Sequence, residues 1–465
     1  MMTEARRHKT GDGRQETEGG RHRAISPPIL ATLLIMALAA NAAEPDWSQV
    51  GNEALGLLQR YIRIESINPP ADVRAAAAFF EGELKKAGLA PKLYSSDPAT
   101  GKVNLVVRLP GRDRSRKPLL LLNHFDVVPV DAKAWSVAPF GALIKDGFIW
   151  GRGALDMKGI GIQHLMSLIL LKRQGVVPAR DIVMLTTADE ETNGTYGIEW
   201  MIGHHFADIN AEYVLDEGGM GTRELFAPGK LVFGVSVAEK QVAWVRLRAK
   251  GTAGHGSQPI ADNANERLLR YVQRALADTR AAKPHPLVEE MRRNIGTMAN
   301  NKYVNAIQKN TLSLTTLRAG VGDPPKSNVI PSTAEATIDC RLLPGVNVDE
   351  FLSEMRARIN DPKVTVELLS TPADPGASNY HTPLFSNIAR VIRGMHPGAV
   401  VTPLLVPHGT DSVKLREKGL IAYGLTPMIL DAATAGTMHS DEERIPVEEF
   451  KRGIRIFFEV LQSEF

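Results

Sequence analysis

Leu119-Leu120-Leu121-Leu122-Asn123-His124-Phe125-Asp126-Val127-Val128-Pro129 is an apolar run that ends in a histidine and a carboxylate two residues apart. Four leucines followed by β-branched valines predict a central strand covered on both faces, because such a strand needs no polar alternation. His124 and Asp126 then fall at its carboxyl end, where open α/β sheets bind ligands. The i, i+2 spacing puts both side chains on one side of extended backbone, which suits a metal-bound imidazole whose other ring nitrogen is held by a carboxylate. A capped strand end with a satisfied histidine fits these residues equally well, and the rest of the chain has to decide.

At 465 residues the chain is long enough for two domains, at roughly 150 residues each. Its 43% apolar and 23% charged residues and net charge of +3 describe an ordinary globular protein without the basic excess of a nucleic-acid partner. Arg6, Arg7, His8, Arg14, Arg21, His22 and Arg23 crowd the start, followed by the apolar run from Ile29 to Ala40 and by Ala40-Asn41-Ala42. This is the pattern of a secretory signal over residues 1–43, and the apolar run is short of the ~20 residues of a membrane span. The expectation is an exported, periplasmic or secreted protein with no stable membrane span once mature; an uncleaved anchor is the alternative. Cys340 is the only cysteine, which leaves no intramolecular disulfide and predicts a buried thiol.

Working outward from the leucine strand, Trp47 to Ile62 and Val73 to Ala87 have helical apolar spacing, and Asn104 to Leu109 reads as a strand. Asp146-Gly147 predicts a hairpin turn. It leads into Gly151-Arg152-Gly153-Ala154-Leu155-Asp156-Met157-Lys158-Gly159, which fails as a dinucleotide fingerprint because Asp156 replaces the third glycine. A helix follows from about Ile160 to Gln174, with His164 beside its apolar stripe and read as a helix-surface histidine. Asp181 to Thr187 is another buried strand ending in acid, Asp189-Glu190-Glu191, and a third, Tyr213 to Leu215, ends in Asp216-Glu217-Gly218. Three converging acidic strand ends repel one another unless a cation neutralises them.

From about Glu239 the texture changes to strands around a helix from about Asn263 to Leu276, without acidic endings, and predicts an inserted α+β domain over residues 239–370. It divides an α/β catalytic domain into residues 44–238 and 371–465. Gly320 to Ser327 reads as an exposed loop. In the last section His439 sits in a small-residue loop, Gly436-Thr437-Met438-His439-Ser440, from which it could complete a metal site.

Together, His124-x-Asp126, Gly151-Arg152-Gly153-x-x-Asp156-Met157-Lys158-Gly159, Asp189-Glu190-Glu191, Asp216-Glu217-Gly218 and His439 resemble the M20 metallopeptidases, a family of zinc carboxypeptidases, aminoacylases and desuccinylases. Ser327-Asn328-Val329-Ile330-Pro331 and Asp339-Cys340-Arg341-Leu342-Leu343-Pro344-Gly345 resemble its carboxypeptidase S and N-acyl-amino-acid hydrolase branch. The resemblance implies a zinc-exopeptidase fold with a mostly parallel sheet, interrupted by a smaller lid that also dimerises. It also implies two Zn2+ per subunit, with Co2+ or Mn2+ as alternatives: His124 and Glu217 hold one ion, Glu191 and His439 the other, and Asp156 bridges. Asp216 is the rival ligand to Glu217.

Asp126 would orient His124, and Glu190 would act as general base, passing a water's proton to the leaving amine. By the same resemblance His255 reaches from the inserted domain, often into a neighbouring subunit, to stabilise the oxyanion. Arg341 and Asn328 would bind substrate, a guanidinium fork suiting a terminal carboxylate, and Thr410 is a weaker candidate of this kind. The implied activity is hydrolysis of an amide beside a free carboxylate, as a carboxypeptidase or alternatively as an N-acyl-amino-acid hydrolase, in a homodimer whose surface the segment from Lys283 to Lys309 would modify. A catalytically silent peptide-binding protein would show a lost ligand or a lost Glu190, and neither is lost.

Overall fold

The computed structural model describes residues 44–277, 284–370 and 373–465, so the signal read over residues 1–43 lies outside the described residues. The first half forms helices α1 (Trp47–Ile62) and α2 (Arg74–Lys86), strands β1 (Lys92–Asp97), β2 (Lys102–Leu109), β3 (Leu119–His124), β4 (Leu143–Lys145) and β5 (Phe148–Trp150), helix α3 (Gly159–Arg173), strand β6 (Ile182–Thr187), helix α4 (Ile198–Ile209), and strands β7 (Tyr213–Thr222), β8 (Val232–Glu239), β9 (Gln241–Lys250) and β10 (Gly254–His255). The second half adds α5 (Ala264–Leu276), α6 (Pro286–Ile295), α7 (Lys302–Ile307), β11 (Thr311–Ala319), β12 (Val329–Ile330), β13 (Thr333–Leu342), α8 (Val348–Ile359), β14 (Val364–Leu368), α9 (Pro383–Met395), β15 (Val400–Val406), α10 (Ser412–Glu417), β16 (Ile421–Ile429), α11 (Ala432–Ala435), β17 (Arg444–Pro446) and α12 (Val447–Gln462).

Eight strands make one sheet in the order β1-β2-β6-β3-β7-β16-β8-β15. Its four central strands, β6, β3, β7 and β16, run parallel, while β1, β2 and β8 join antiparallel. This is the α/β architecture that the leucine run predicts. Leu119 and Leu121 face α1, α3 and α12, whereas Leu120 and Leu122 face α4 and α10. Each leucine buried on both flanks contributes about 1.5–3 kcal/mol relative to exposure, which fixes β3 at the centre.

Helix α3 differs from its sequence reading. Every residue from Gly159 to Leu171 is buried, so His164 lies in the core rather than on a helix surface. The helix is enclosed by the sheet, α1 and α12, and Phe457 packs edge-on against the imidazole at 4.6 Å. Residues Ala154–Arg173 are long and apolar enough to cross a membrane, but they form this core element.

A second, antiparallel sheet has the order β11-β13-β9-β14. Ala243, Val245 and Leu247 of β9 and Ala336, Ile338 and Cys340 of β13 pack against α5 and α8, and Cys340 is a buried free thiol. Only Lys240 separates β8 of the large sheet from β9 of the small one. One stretch departs from the sequence reading. Leu287, Val288, Met291, Ile295, Val304 and Ile307 bury in the core of the large sheet, and Asn294 donates to Thr402 of β15 at 3.0 Å. Residues 286–307 thus cover an otherwise open edge strand, because their apolar stripe finds its partner there rather than on the small sheet.

Candidate metal centre and active site

Strand β3 pairs with β6 through His124 and Thr187, but with β7 only through Leu121 and Leu215. The two ladders therefore part at the carboxyl end of the leucine run. The third strand does not stop at Leu215, as its sequence implies, but continues to Thr222. Its register against β16 jumps from Asp216 opposite Gly424 to Met220 opposite Thr426, so residues of β7 bulge out between them. Gly218 adopts φ 124° within this bulge. A Cβ on Gly424 would lie 2.0 Å from the Glu217 carbonyl, so a glycine is required for the close approach. The bulge turns the Glu217 carboxylate to 3.6 Å from His124 Nε2, while Asp216 accepts from the Ser412 hydroxyl at 2.7 Å. Of the two rival carboxylates, Glu217 faces the histidine.

Asp156 lies between two imidazoles: Oδ1 is 3.2 Å from His124 Nε2 and Oδ2 is 3.0 Å from His439 Nε2. Glu191 approaches His439 at 3.4 Å, and Glu190 approaches His124 at 3.9 Å. Two sets of donor atoms result, His124 with Asp156 and Glu191, and His124 with Glu190 and Glu217, each set lying within 4.8 Å. His439 holds a left-handed backbone with φ 62°, a conformation that costs a non-glycine residue about 1–3 kcal/mol and persists only where the surroundings impose it.

Asp126 acts differently from its simplest reading. His124 Nδ1 hydrogen-bonds the Asp126 main-chain carbonyl at 2.9 Å, with the carboxylate 3.5 Å away. The buried carboxylate instead accepts from the Glu190 N–H at 3.2 Å, the Glu191 N–H at 3.1 Å and Asn68 Nδ2 at 2.7 Å. Asp126 thus connects the end of β3 to the turn that carries Glu190 and Glu191. Asn68 also donates to Thr192 at 2.9 Å.

The charges press on one another. Burial and the Asp156 charge push Glu191 up to about 7, and burial with neighbouring carboxylates raises Glu190 and Glu217 well above the usual range. Burial opposes a charge on His124, yet Asp126, Asp156 and Glu217 together raise it, and Asp156 and Glu191 lift His439 to about 10. A divalent cation relieves this strain by neutralising the carboxylates. The donor set fits one: imidazole nitrogens and carboxylate oxygens are suitable ligands, and the buried Oε1 of Glu191 has no hydrogen-bond partner among the described residues.

The structure does not gather every residue read from the sequence. His255 and Val329 pair in the β10–β12 ribbon, and the Gly256 N–H donates to the Asn328 carbonyl at 2.7 Å. His255 and Asn328 are therefore neighbours, exposed, and among the described residues joined to the acidic cluster by no hydrogen bond or ion pair. Arg341 makes a forked ion pair with Asp339 at 2.8 and 3.1 Å, so a substrate carboxylate would have to compete with Asp339 for it. Thr410 is occupied: its hydroxyl donates to Glu239 at 2.9 Å and accepts from the Ser412 N–H at 3.2 Å. Arg416 pairs with the same Glu239 at 2.8 Å, so a substrate group would have to share Thr410 with Glu239. Asp189 supports its loop by accepting from the Tyr196 N–H at 3.1 Å.

Sequence reasoning missed Asn68, Arg152 and Glu443. Asn68 stands in a Pro-rich turn that gives no functional signal. Glu443 follows His439 by four residues, and its carboxylate accepts from Arg152 at 2.7 Å and from the N–H groups of Gly153, Leu155 and Asp156 at 3.0, 2.8 and 3.0 Å.

Residues 120–463 match the description of peptidase family M20/M25/M40. Aminoacylase-1 of Pongo abelii is 31% identical over 88% of this chain and 94% of its own. A probable carboxypeptidase S-like 2 of Dictyostelium discoideum is 28% identical over 77% of this chain and 74% of its own. Among solved structures, the M20 family metallo-carboxypeptidase Sso-CP2 of Sulfolobus solfataricus superposes with a TM-score of 0.69 at 19% identity, covering 88% of this chain and 98% of that one.

Proposed function

Because the chain belongs to peptidase family M20/M25/M40 and is a metal-dependent hydrolase of amide bonds, we propose that it cleaves the bond between an acyl group and the α-nitrogen of an amino acid whose carboxylate is free. The observation that carries this reading is the pair of donor sets that share His124. His124 and Glu217 would hold one Zn2+, Glu191 and His439 a second, with Asp156 between them. When bound, the ions supply Lewis acidity and a water made acidic near neutral pH.

The chain's own residues do the rest. Glu190, which shares a donor set with His124 and Glu217, would act as the base rather than as a ligand: it takes the proton of the attacking water and returns it to the leaving amine. Asp126 holds the main chain of Glu190 and Glu191, so the base and a ligand keep a fixed separation. Arg341, exchanging its partner Asp339 for substrate, and Asn328 would bind the carboxylate, and His255 would donate to the oxyanion.

The aminoacylase-1 relatives, similar over most of their length, favour N-acyl amino acids as substrates; the carboxypeptidase S-like relative favours a second reading, release of a C-terminal amino acid. Purified protein loaded with Zn2+ and offered N-acetyl amino acids and N-blocked dipeptides separates the two. A chelator should abolish either activity, and zinc-loaded protein that cleaves neither substrate would refute the proposal.

Export rests on the pattern of residues 1–43, and mass spectrometry of the mature N-terminus tests it. We also read the protein as a homodimer through the small sheet. Strand β11 is an edge with Leu314 and Leu317 exposed at 42% and 51%, a surface that otherwise invites unspecific pairing. The double substitution of Leu314→Glu and Leu317→Glu should yield monomers in sedimentation; an unchanged sedimentation coefficient argues against this interface.

A further inference from the structure

We propose that the buried Glu443–Arg152 pair is a positioning device that sets Asp156 and His439 against each other. The inference rests on the reading above that these two side chains share a cation. Both partners are buried, Glu443 completely and Arg152 to within 2%. A buried ion pair is weak support for a fold unless its remaining donors and acceptors are satisfied; here Arg152 Nε has no hydrogen-bond partner among the described residues, and the other polar atoms are directed at the ligand-bearing loops.

One carboxylate oxygen of Glu443 accepts from the main chain of Leu155 and Asp156, the other from Gly153 and the Arg152 guanidinium. The second guanidinium nitrogen donates to the His439 carbonyl at 3.3 Å and the Pro129 carbonyl at 3.4 Å, and Trp135 covers the guanidinium plane at 5.2 Å. The Glu443 carbonyl accepts from the Gly151 N–H at 3.0 Å. Strand β17, which begins at the next residue, pairs Arg444 with Trp150 of β5, so the two strands enter the clamp in register. The pair thus grips the Asp156 loop at its N–H groups, the His439 loop at its carbonyl, and the segment after His124 at Pro129. His439 needs such a grip, since its left-handed backbone is not self-sustaining.

Neither residue touches the cation or the substrate in this arrangement; both act through Asp156 and His439. Groups that orient metal ligands in this way change metal affinity by ~10- to 100-fold when altered. In Glu443→Gln, the Arg152 charge draws the amide oxygen to its own side, and the amide NH2 confronts the Leu155 and Asp156 N–H groups. Arg152→Lys is the gentler variant, which keeps the charge but loses the fork that reaches His439.

Zn2+ titration calorimetry of metal-free wild type and both variants, well below their melting temperatures, tests the proposal, together with visible spectra of the Co2+-loaded forms. The expected result is zinc affinity ~10- to 100-fold weaker in Glu443→Gln, with an altered Co2+ band, and a smaller loss in Arg152→Lys. If folded variants bind Zn2+ as tightly as wild type with an unchanged Co2+ spectrum, the pair merely stabilises the fold and the proposal falls. Should Glu443→Gln fail to fold, Arg152→Lys alone decides. Wild type that binds no Zn2+ would instead refute the metal reading on which the inference stands.

Discussion

Replacing Asp126 with asparagine separates the base from the metal ligands. The wild-type carboxylate has two oxygens with unequal duties: Oδ1 accepts from the Glu190 N–H, while Oδ2 accepts from both Asn68 and Glu191. An amide keeps one acceptor oxygen, and placing it at Oδ2 saves two hydrogen bonds and sacrifices one. The NH2 group then faces the Glu190 N–H. A buried donor left unsatisfied costs about 1–3 kcal/mol, and at about 1.4 kcal/mol per tenfold in rate this corresponds to a fall of roughly 5- to 150-fold in kcat if Glu190 bears it in the transition state. His124 keeps its main-chain partner, the Asp126 carbonyl, so zinc should stay. The assay is amide hydrolysis at saturating substrate alongside elemental analysis of zinc. Full activity, or loss of zinc in proportion to activity, would show that the carboxylate does not act through the Glu190–Glu191 turn.

Glu190→Gln should lower kcat by ~100-fold or more while retaining zinc; a variant that loses an ion would make Glu190 a ligand. Gly424→Ala places a methyl group 2.0 Å from the Glu217 carbonyl, and should destabilise the protein by about 1–3 kcal/mol or more and weaken zinc binding, as read by thermal melting and calorimetry; an unchanged melting temperature would mean that the bulge yields easily. Burial pulls His164 down from 6.5 to about 3. Below pH 6.5 the unfolded chain therefore takes up a proton that the folded chain refuses, so stability rises with pH across the window from about 3 to 6.5. The contribution is on the order of 5 kcal/mol, and urea unfolding of metal-free protein between pH 4 and 7 should show a shallower pH dependence in His164→Gln than in wild type; equal slopes would contradict it.

Residues whose partners are close in sequence or fixed by strand period were legible from the chain. The leucine run, followed by β-branched valines, was legible as a doubly covered strand, and the acidic residues at the ends of β3 and β6 then fell at the carboxyl edge of the sheet. Three acidic endings at one edge of a sheet required a cation. The identities of His124, Asp156, Glu191 and His439 as neighbours came from the family resemblance, and the fold brings them to within hydrogen-bonding distances.

What the sequence could not express are interactions between segments 58 to 291 residues apart. The resemblance favours Glu217 over Asp216 as the ligand, but what turns Glu217 toward His124 is a bulge of β7 whose close approach Gly424, on another strand, admits. The duties of Asp126, the occupation of Thr410 by Glu239, and the grip of Glu443 on the Asp156 loop all lie across such long separations. The same holds for His164, since no apolar stripe reveals that a helix will be enclosed on every side. A sequence therefore determines which groups must leave water and which charges need a counter-ion, because those requirements belong to the residues themselves. Only the tertiary structure decides which backbone N–H, carbonyl or carboxylate meets each of them, because hydrogen bonds are short and directional and depend on how the loops are brought together.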